Sequence, residues 1–151
     1  MRRTAWRWLA LAGLAAVFMV GITLFSAQEG AVSSGLSRGV LALVEQYLPG
    51  VYRLLAATGR PEFVLRKLAH FTEYAALGLC LYALARRRLA PLPALALALG
   101  MAVAFAFVDE WHQLSVPGRD GSLRDVGIDS LGALAGVLLG RAGTALRHLR
   151  G

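Results

Sequence analysis

Apolar residues fall along this chain in four blocks, residues 6–25, 63–85, 92–114 and 126–139, with shorter polar stretches between them. Leu, Ala, Val, Phe and Gly dominate each block, and the first three reach the ~20 residues that a helix needs to cross a hydrocarbon core of ~30 Å. The fourth is shorter. It spans if Asp125 and Arg141 lie at opposite interfaces, where mismatch between a short helix and the bilayer costs little. The pattern therefore predicts an all-α protein, a four-span transmembrane helical bundle. No linker run, low-complexity tract or internal repeat divides the chain, so residues 1–151 read as one membrane domain.

Residues 26–60 connect the first two spans. Leu36, Val40, Leu43, Val44, Tyr47 and Leu48 recur there at helical spacing with Ser37, Arg38, Glu45 and Gln46 between them, which predicts an amphipathic helix lying in the membrane interface. Pro49-Gly50 ends it, and a second apolar piece over residues 51–57 runs to the turn Thr58-Gly59-Arg60. Pro61 suits the first position of the next helix. The stretch either rests on the membrane as a connector or forms a lid over an outer cavity.

Composition agrees with membrane residence. Hydrophobic residues make up 57% of the chain, more than a soluble domain of this size usually carries. Charge then sets the orientation. With both termini cytoplasmic, the inner side holds nine basic residues (Arg2, Arg3, Arg7, Arg86, Arg87, Arg88, Arg141, Arg147 and Arg150) and no acid, and the other side holds all nine acids. The short Arg86-Arg87-Arg88 turn is the strongest positive-inside marker. The net charge of +7 is thus a topology signal facing anionic lipid; the lipid bilayer is the expected partner, and nucleic acid is not. An uncleaved first span is expected, because its apolar run exceeds the ~7–15 residues of a signal peptide and Phe25-Ser26-Ala27 is a poor cleavage site. Cys80, the single cysteine, lies mid-span and serves as a small buried apolar residue.

The ends of the spans carry the chemistry. On the second, Lys67, His70 and Tyr74 follow an i, i+3, i+7 spacing and share a face, with Glu73 beside them. Lys67 is the one lysine among fifteen arginines, a choice that suits a compact ammonium or a titratable amine. The third ends in Asp109, Glu110, His112 and Gln113. Carboxylates there face the negative end of the helix dipole, at a cost of about 0.3–1 kcal/mol each. A cation must compensate them: Lys67, His70, Arg119 or a metal ion. In the glycine-rich loop of residues 115–122, Arg119 can grip a phosphate or carboxylate in two-point contact, or pair with Asp109 or Asp120. Ser122-Leu123-Arg124-Asp125 has the form of a capping box. Gly132, Gly136 and Gly140 share a stripe with Asp125 and Asp129; such small residues let membrane helices approach closely and draw both aspartates into the bundle, away from lipid.

The ordered set Lys67-x-x-His70-x-x-x-Tyr74, Asp109-Glu110-x-x-Gln113, Pro117-Gly118-Arg119 and Asp125-x-x-x-Asp129-x-x-Gly132, with Ser26-x-Gln28 after the first span, resembles the VanZ-like family of small bacterial membrane proteins. The family pattern often has Asn where Asp129 stands. The resemblance implies a multi-pass protein of the bacterial cytoplasmic membrane and cell envelope, whose namesake is linked to resistance to the glycopeptide teicoplanin. It implies a functional set of Lys67, His70, Glu110, Gln113, Arg119 and Asp125, with Asp109 and Tyr74 next.

Three readings of function follow. In the first, Lys67, Tyr74, Asp109, Gln113 and Arg119 bind a substrate at an outward-facing polar pocket, either a lipid-linked cell-wall precursor or a lipoglycopeptide. In the second, an intramembrane hydrolase or transferase uses His70, Glu110 and Asp125 as catalytic groups. Those three could instead hold a divalent cation, although the sequence alone assigns no metal and no cofactor. No HExxH, Gly-x-Ser-x-Gly or thiol nucleophile lies near this face, so the sequence assigns no nucleophile, and nothing in it singles out Ser26 or Ser115 for that role. In the third, the charges form a paired plug that fixes helix register, and the protein acts through partners.

Overall fold

The computed structural model describes residues 2–149. The side chains of Arg2, Arg3, Arg7 and Arg147, and all of Arg150, belong to the arginines that orient the chain and lie outside the described residues. Six helices follow in order: α1 (Arg2–Ser26), α2 (Gly30–Tyr47), α3 (Pro49–Ala56), α4 (Pro61–Ala85), α5 (Pro91–Gln113) and α6 (Leu123–Leu149). No strand occurs among the described residues. Four stretches are long and apolar enough to cross a membrane: Trp8–Ser26, Pro61–Ala85, Pro91–Gln113 and Leu123–Leu146.

The fourth span, α6, differs most from the hydrophobic pattern. It begins at Leu123 and runs well past Leu139, so a span of 24 residues replaces the short one. Gly140, Arg141, Gly143 and Thr144 lower local hydropathy without breaking the helix, because none is proline and Arg is a good helix former. The connector also forms more helix than its apolar spacing suggests. α2 starts at Gly30, and Pro49 opens α3 as well as closing α2, since the first turn of a helix needs no N–H from proline. Gly59 takes φ +72°, the left-handed conformation that glycine adopts without strain, and Pro61 begins α4.

α4 is the central helix and packs most extensively on α6, then on α5 and α1. Its seam with α6 is built from small residues on both sides: a Cβ at Gly132 or Gly136 would lie 2.3 Å from the Phe71 carbonyl oxygen or 1.8 Å from that of Ala75, and one at Gly78 2.4 Å from that of Ala133. α5 contributes Ala94, Ala98, Ala102 and Ala106, every fourth residue and each fully buried. Ile22, Tyr74, Leu77, Tyr82 and Val137 fill the remaining core, and Cys80 is buried beside them. Large apolar side chains such as Leu97, Met101, Val108, Trp111 and Leu139 point outward, as a bilayer requires. On α2, Leu36, Val40 and Leu43 are likewise exposed.

Candidate functional site

The C-terminal ends of α1 and α5, the first turns of α4 and the start of α6 meet at one end of the bundle, and the α5–α6 loop holds them together. Gly30 N–H donates to the Pro117 carbonyl at 3.0 Å, and a Cβ on Gly30 would lie 1.9 Å from the Gly118 oxygen, so the loop presses directly on the start of α2. Gly118 turns the chain there with φ +71°.

Arg119 fastens the loop to α1. Its Nε donates to the Gln28 carbonyl at 3.1 Å and its Nη2 to the Phe25 carbonyl at 2.7 Å, at a helix end whose carbonyls lack helical partners. Neither Asp109 nor Asp120 is its partner, so the structure does not form the pairing that the sequence left as one of two alternatives. Burial, and then the nearby Arg66 guanidinium, push the Arg119 pKa below the ordinary arginine value, against the pull of Asp109 and Glu110. Each charge-assisted bond contributes about 1.5–3 kcal/mol when buried and less when exposed, and one of these two is exposed. Arg119→Ala is therefore expected to lower stability by about 2 kcal/mol, read as an earlier transition in denaturant unfolding of the detergent-purified protein. An unchanged midpoint would show that the two carbonyl bonds do not hold the loop.

At the start of α6 the capping box is half formed. Ser122 Oγ accepts from the Asp125 N–H at 3.2 Å. The reciprocal bond is absent, because Ser122 N–H donates to Glu110 Oε2 at 2.8 Å and the Asp125 carboxylate is engaged by Lys67, with Nζ 2.6 Å from Oδ1. Lys67 Nζ also lies 5.1 Å from the centre of the Phe63 ring, within cation–π range. Beneath this pair, Asp109 Oδ2 accepts from Ser26 Oγ at 2.8 Å and from Gln113 Nε2 at 3.4 Å, and Gln113 Nε2 also donates to Ser26 Oγ at 3.1 Å. His70 Nδ1 stands 3.6 Å from Asp129 Oδ1.

Two adjoining cavities at this end share part of their walls. The larger, ≈ 390 Å³, is walled by Phe63, Arg66, Lys67, His70, Gln113, Arg119, Arg124 and Asp125 among others. The second, ≈ 210 Å³, is a more apolar cleft between α2 and α4 with Phe25, Leu36, Val40 and Leu65 in its wall; Arg66, His70 and Arg119 line both. The model of the VanZ/LLP1 family matches residues 11–144. The chain belongs to the VanZ/LLP1 family. No curated protein and no solved structure matches it.

The matched region of this VanZ/LLP1 protein contains every residue of both cavities. Of the residues singled out from the sequence, Lys67, His70, Gln113, Arg119 and Asp125 stand in the wall of the larger cavity. Asp109 and Glu110 are buried and lie outside that wall. Tyr74 is fully buried with its ring 6.0 Å from that of Phe105 and lines neither cavity. The sequence set omitted Arg66 and Arg124, both in the wall; Asp129, read from the sequence as drawn into the bundle, is buried beside His70. Arg66 could have been found from its place four residues before His70, which puts the two on one helix face.

Proposed function

We propose that this VanZ/LLP1 protein binds an anionic, lipid-tethered component of the bacterial cell envelope, a lipid-linked cell-wall precursor or a lipoglycopeptide, and so contributes to resistance of the teicoplanin type. The surplus of positive charge carries the reading. Arg66, Lys67, Arg119 and Arg124 line the larger cavity against the carboxylates of Asp120 and Asp125, and of these four cations only Lys67 forms an ion pair with a carboxylate among the described residues. Arg66 donates from Nη2 to Ser34 Oγ at 3.1 Å and leaves its Nε buried without a partner, and Arg119 holds backbone carbonyls. Guanidinium groups so placed suit phosphate and carboxylate. The neighbouring apolar cleft, joined through Arg66, His70 and Arg119, offers a path for the tail of an amphiphile whose headgroup occupies the basic cavity.

The protein works as a single domain in the cytoplasmic membrane with both termini inside and the cavity outward. Arg86, Arg87, Arg88 and Arg141, at the far ends of α4 and α6 from the cavity, support that orientation by the positive-inside rule. Arg124→Gln tests the binding reading, since the Arg124 side chain makes no ion pair with a carboxylate among the described residues. In nanodiscs, affinity for an isoprenoid pyrophosphate-linked precursor or for teicoplanin is expected to fall about tenfold, the effect of one lost charged contact of ~1.4 kcal/mol. Arg141→Gln, at the opposite end, is expected to bind as the parent protein does. Equal affinity for the Arg124 variant and the parent, with both ligands, rejects the proposal.

A further inference from the structure

We infer that a divalent transition-metal ion binds between α4, α5 and α6, held by His70, Asp109, Glu110 and Asp129. One ligand atom from each of these residues lies within 4.8 Å of all the others. Ligands on opposite sides of an ion bonded at ~2.0–2.2 Å are about 4.4 Å apart, and adjacent ones are closer, so a single ion can reach all four after small side-chain movement. All four residues are buried, which limits competition from water.

Charge points the same way. Three carboxylates face one imidazole, and no lysine or arginine pairs with Asp109, Glu110 or Asp129 among the described residues. Lys67 is committed to Asp125 and Arg119 to two carbonyls. Asp129 supplies the separate observation. It is 1% exposed, and both its carboxylate oxygens are buried without a hydrogen-bond partner; His70 Nδ1, at 3.6 Å from Oδ1, is beyond hydrogen-bond length. An ionised carboxylate so placed has no compensation beyond a protonated His70 at 3.6 Å, which Asp109 and Glu110 share, and a protonated one lacks an acceptor for its O–H. A cation in the cluster answers the first deficit directly.

The surroundings also orient the ligands. Ser26 and Gln113 hold Oδ2 of Asp109, and the Ser122 N–H holds Oε2 of Glu110, which leaves the second oxygen of each carboxylate outside those bonds and free to coordinate. Outer contacts of this kind fix ligand direction in metal sites. One imidazole nitrogen with three carboxylates suits Mn²⁺, Fe²⁺ or Zn²⁺, whereas Ca²⁺ takes six to eight oxygens and copper(I) prefers sulfur. Because His70 also lines both cavities, the ion has a route in from that side.

The test uses the full chain in detergent or nanodiscs, stripped with EDTA and titrated with Mn²⁺ alone, following the loss of the free-ion signal in electron paramagnetic resonance. The parent protein is expected to bind one equivalent saturably, to yield it to Zn²⁺, and to hold it against a hundredfold excess of Ca²⁺. Asp129→Asn and Glu110→Gln are each expected to weaken binding about a hundredfold or more, while Arg124→Gln leaves it unchanged, which separates this site from anion binding in the cavity. Folding of each variant is checked by its melting transition; should Asp129→Asn not fold, Asp109→Asn carries the same expectation. Absence of saturable Mn²⁺ or Zn²⁺ binding in the folded parent overturns the inference, as does parent-like binding in the folded cluster variants.

Discussion

Gly136→Val is expected to leave little folded protein. A Cβ at position 136 would lie 1.8 Å from the Ala75 carbonyl oxygen, 2.7 Å from its carbon and 2.9 Å from the Leu79 nitrogen. All three are backbone atoms of α4, so no side chain can rotate away, and the helices must separate. Separation at this point also opens the contacts of Gly132 with Phe71 and of Gly78 with Ala133, which share the seam. Overpacking in a core ordinarily costs about 1–3 kcal/mol. A branched side chain against backbone, in the most extensive helix pair of the bundle, belongs at or above the top of that range. Against a total stability of about 5–15 kcal/mol, the loss is large. Gly143→Ala makes the comparison on the same helix: nothing lies within 4 Å of the added methyl, and alanine gains up to ~1 kcal/mol of helix propensity over glycine. Unfolding in graded SDS should therefore start earlier for Gly136→Val and no earlier than the parent for Gly143→Ala. If the two variants unfold alike, the close approach of α4 and α6 is wrong.

That seam was legible in the sequence because its signal is local. Glycines four residues apart in an apolar helix state which face packs closely, whatever the partner. The spacing of Lys67 and His70 was legible for the same reason, and so was the helical character of all four spans. What stayed hidden depends on residues distant in the chain. Arg119 read as gripping a phosphate or carboxylate or as pairing with Asp109 or Asp120, but it meets the carbonyls of Phe25 and Gln28, because acceptors at a helix end leave no mark on the sequence. Asp125 reads as a cap, yet its carboxylate is drawn to Lys67, and the Ser122 N–H it was to accept from is taken by Glu110. The isolation of Asp129 is a property of what surrounds it, and no periodicity reports it. On α5, Ala94, Ala98, Ala102 and Ala106 formed a readable stripe that was lost within a uniformly apolar block. Beyond Leu139, α6 was cut short because hydropathy, rather than helix propensity, set the boundary.

Lys67→Met should cost about 3–5 kcal/mol, the range found when one member of a buried ion pair is removed. The pair is close, 2.6 Å between Nζ and Asp125 Oδ1, and the two side chains are only 19% and 12% exposed, so water in the adjoining cavity restores the lost compensation only in part and the loss falls toward the lower end of that range. Asp125→Asn fails in the mirror sense, leaving an ammonium that keeps only the Phe63 ring. The combination Lys67→Met with Asp125→Asn leaves no charge unpaired and should recover most of the stability, since a buried pair contributes little net stability over apolar replacements. The exchange Lys67→Asp with Asp125→Lys should recover part of it. Asp109 is the wrong partner for such an exchange, because its carboxylate is held by Ser26 and Gln113. These variants also separate pairing from ligand binding. A double variant that is stable yet no longer binds the anionic ligand places Lys67 in recognition, whereas one that is stable and binds normally reduces it to a strut between α4 and α6. Additive losses in the cycle, with no recovery in the double variant, would contradict the pairing itself.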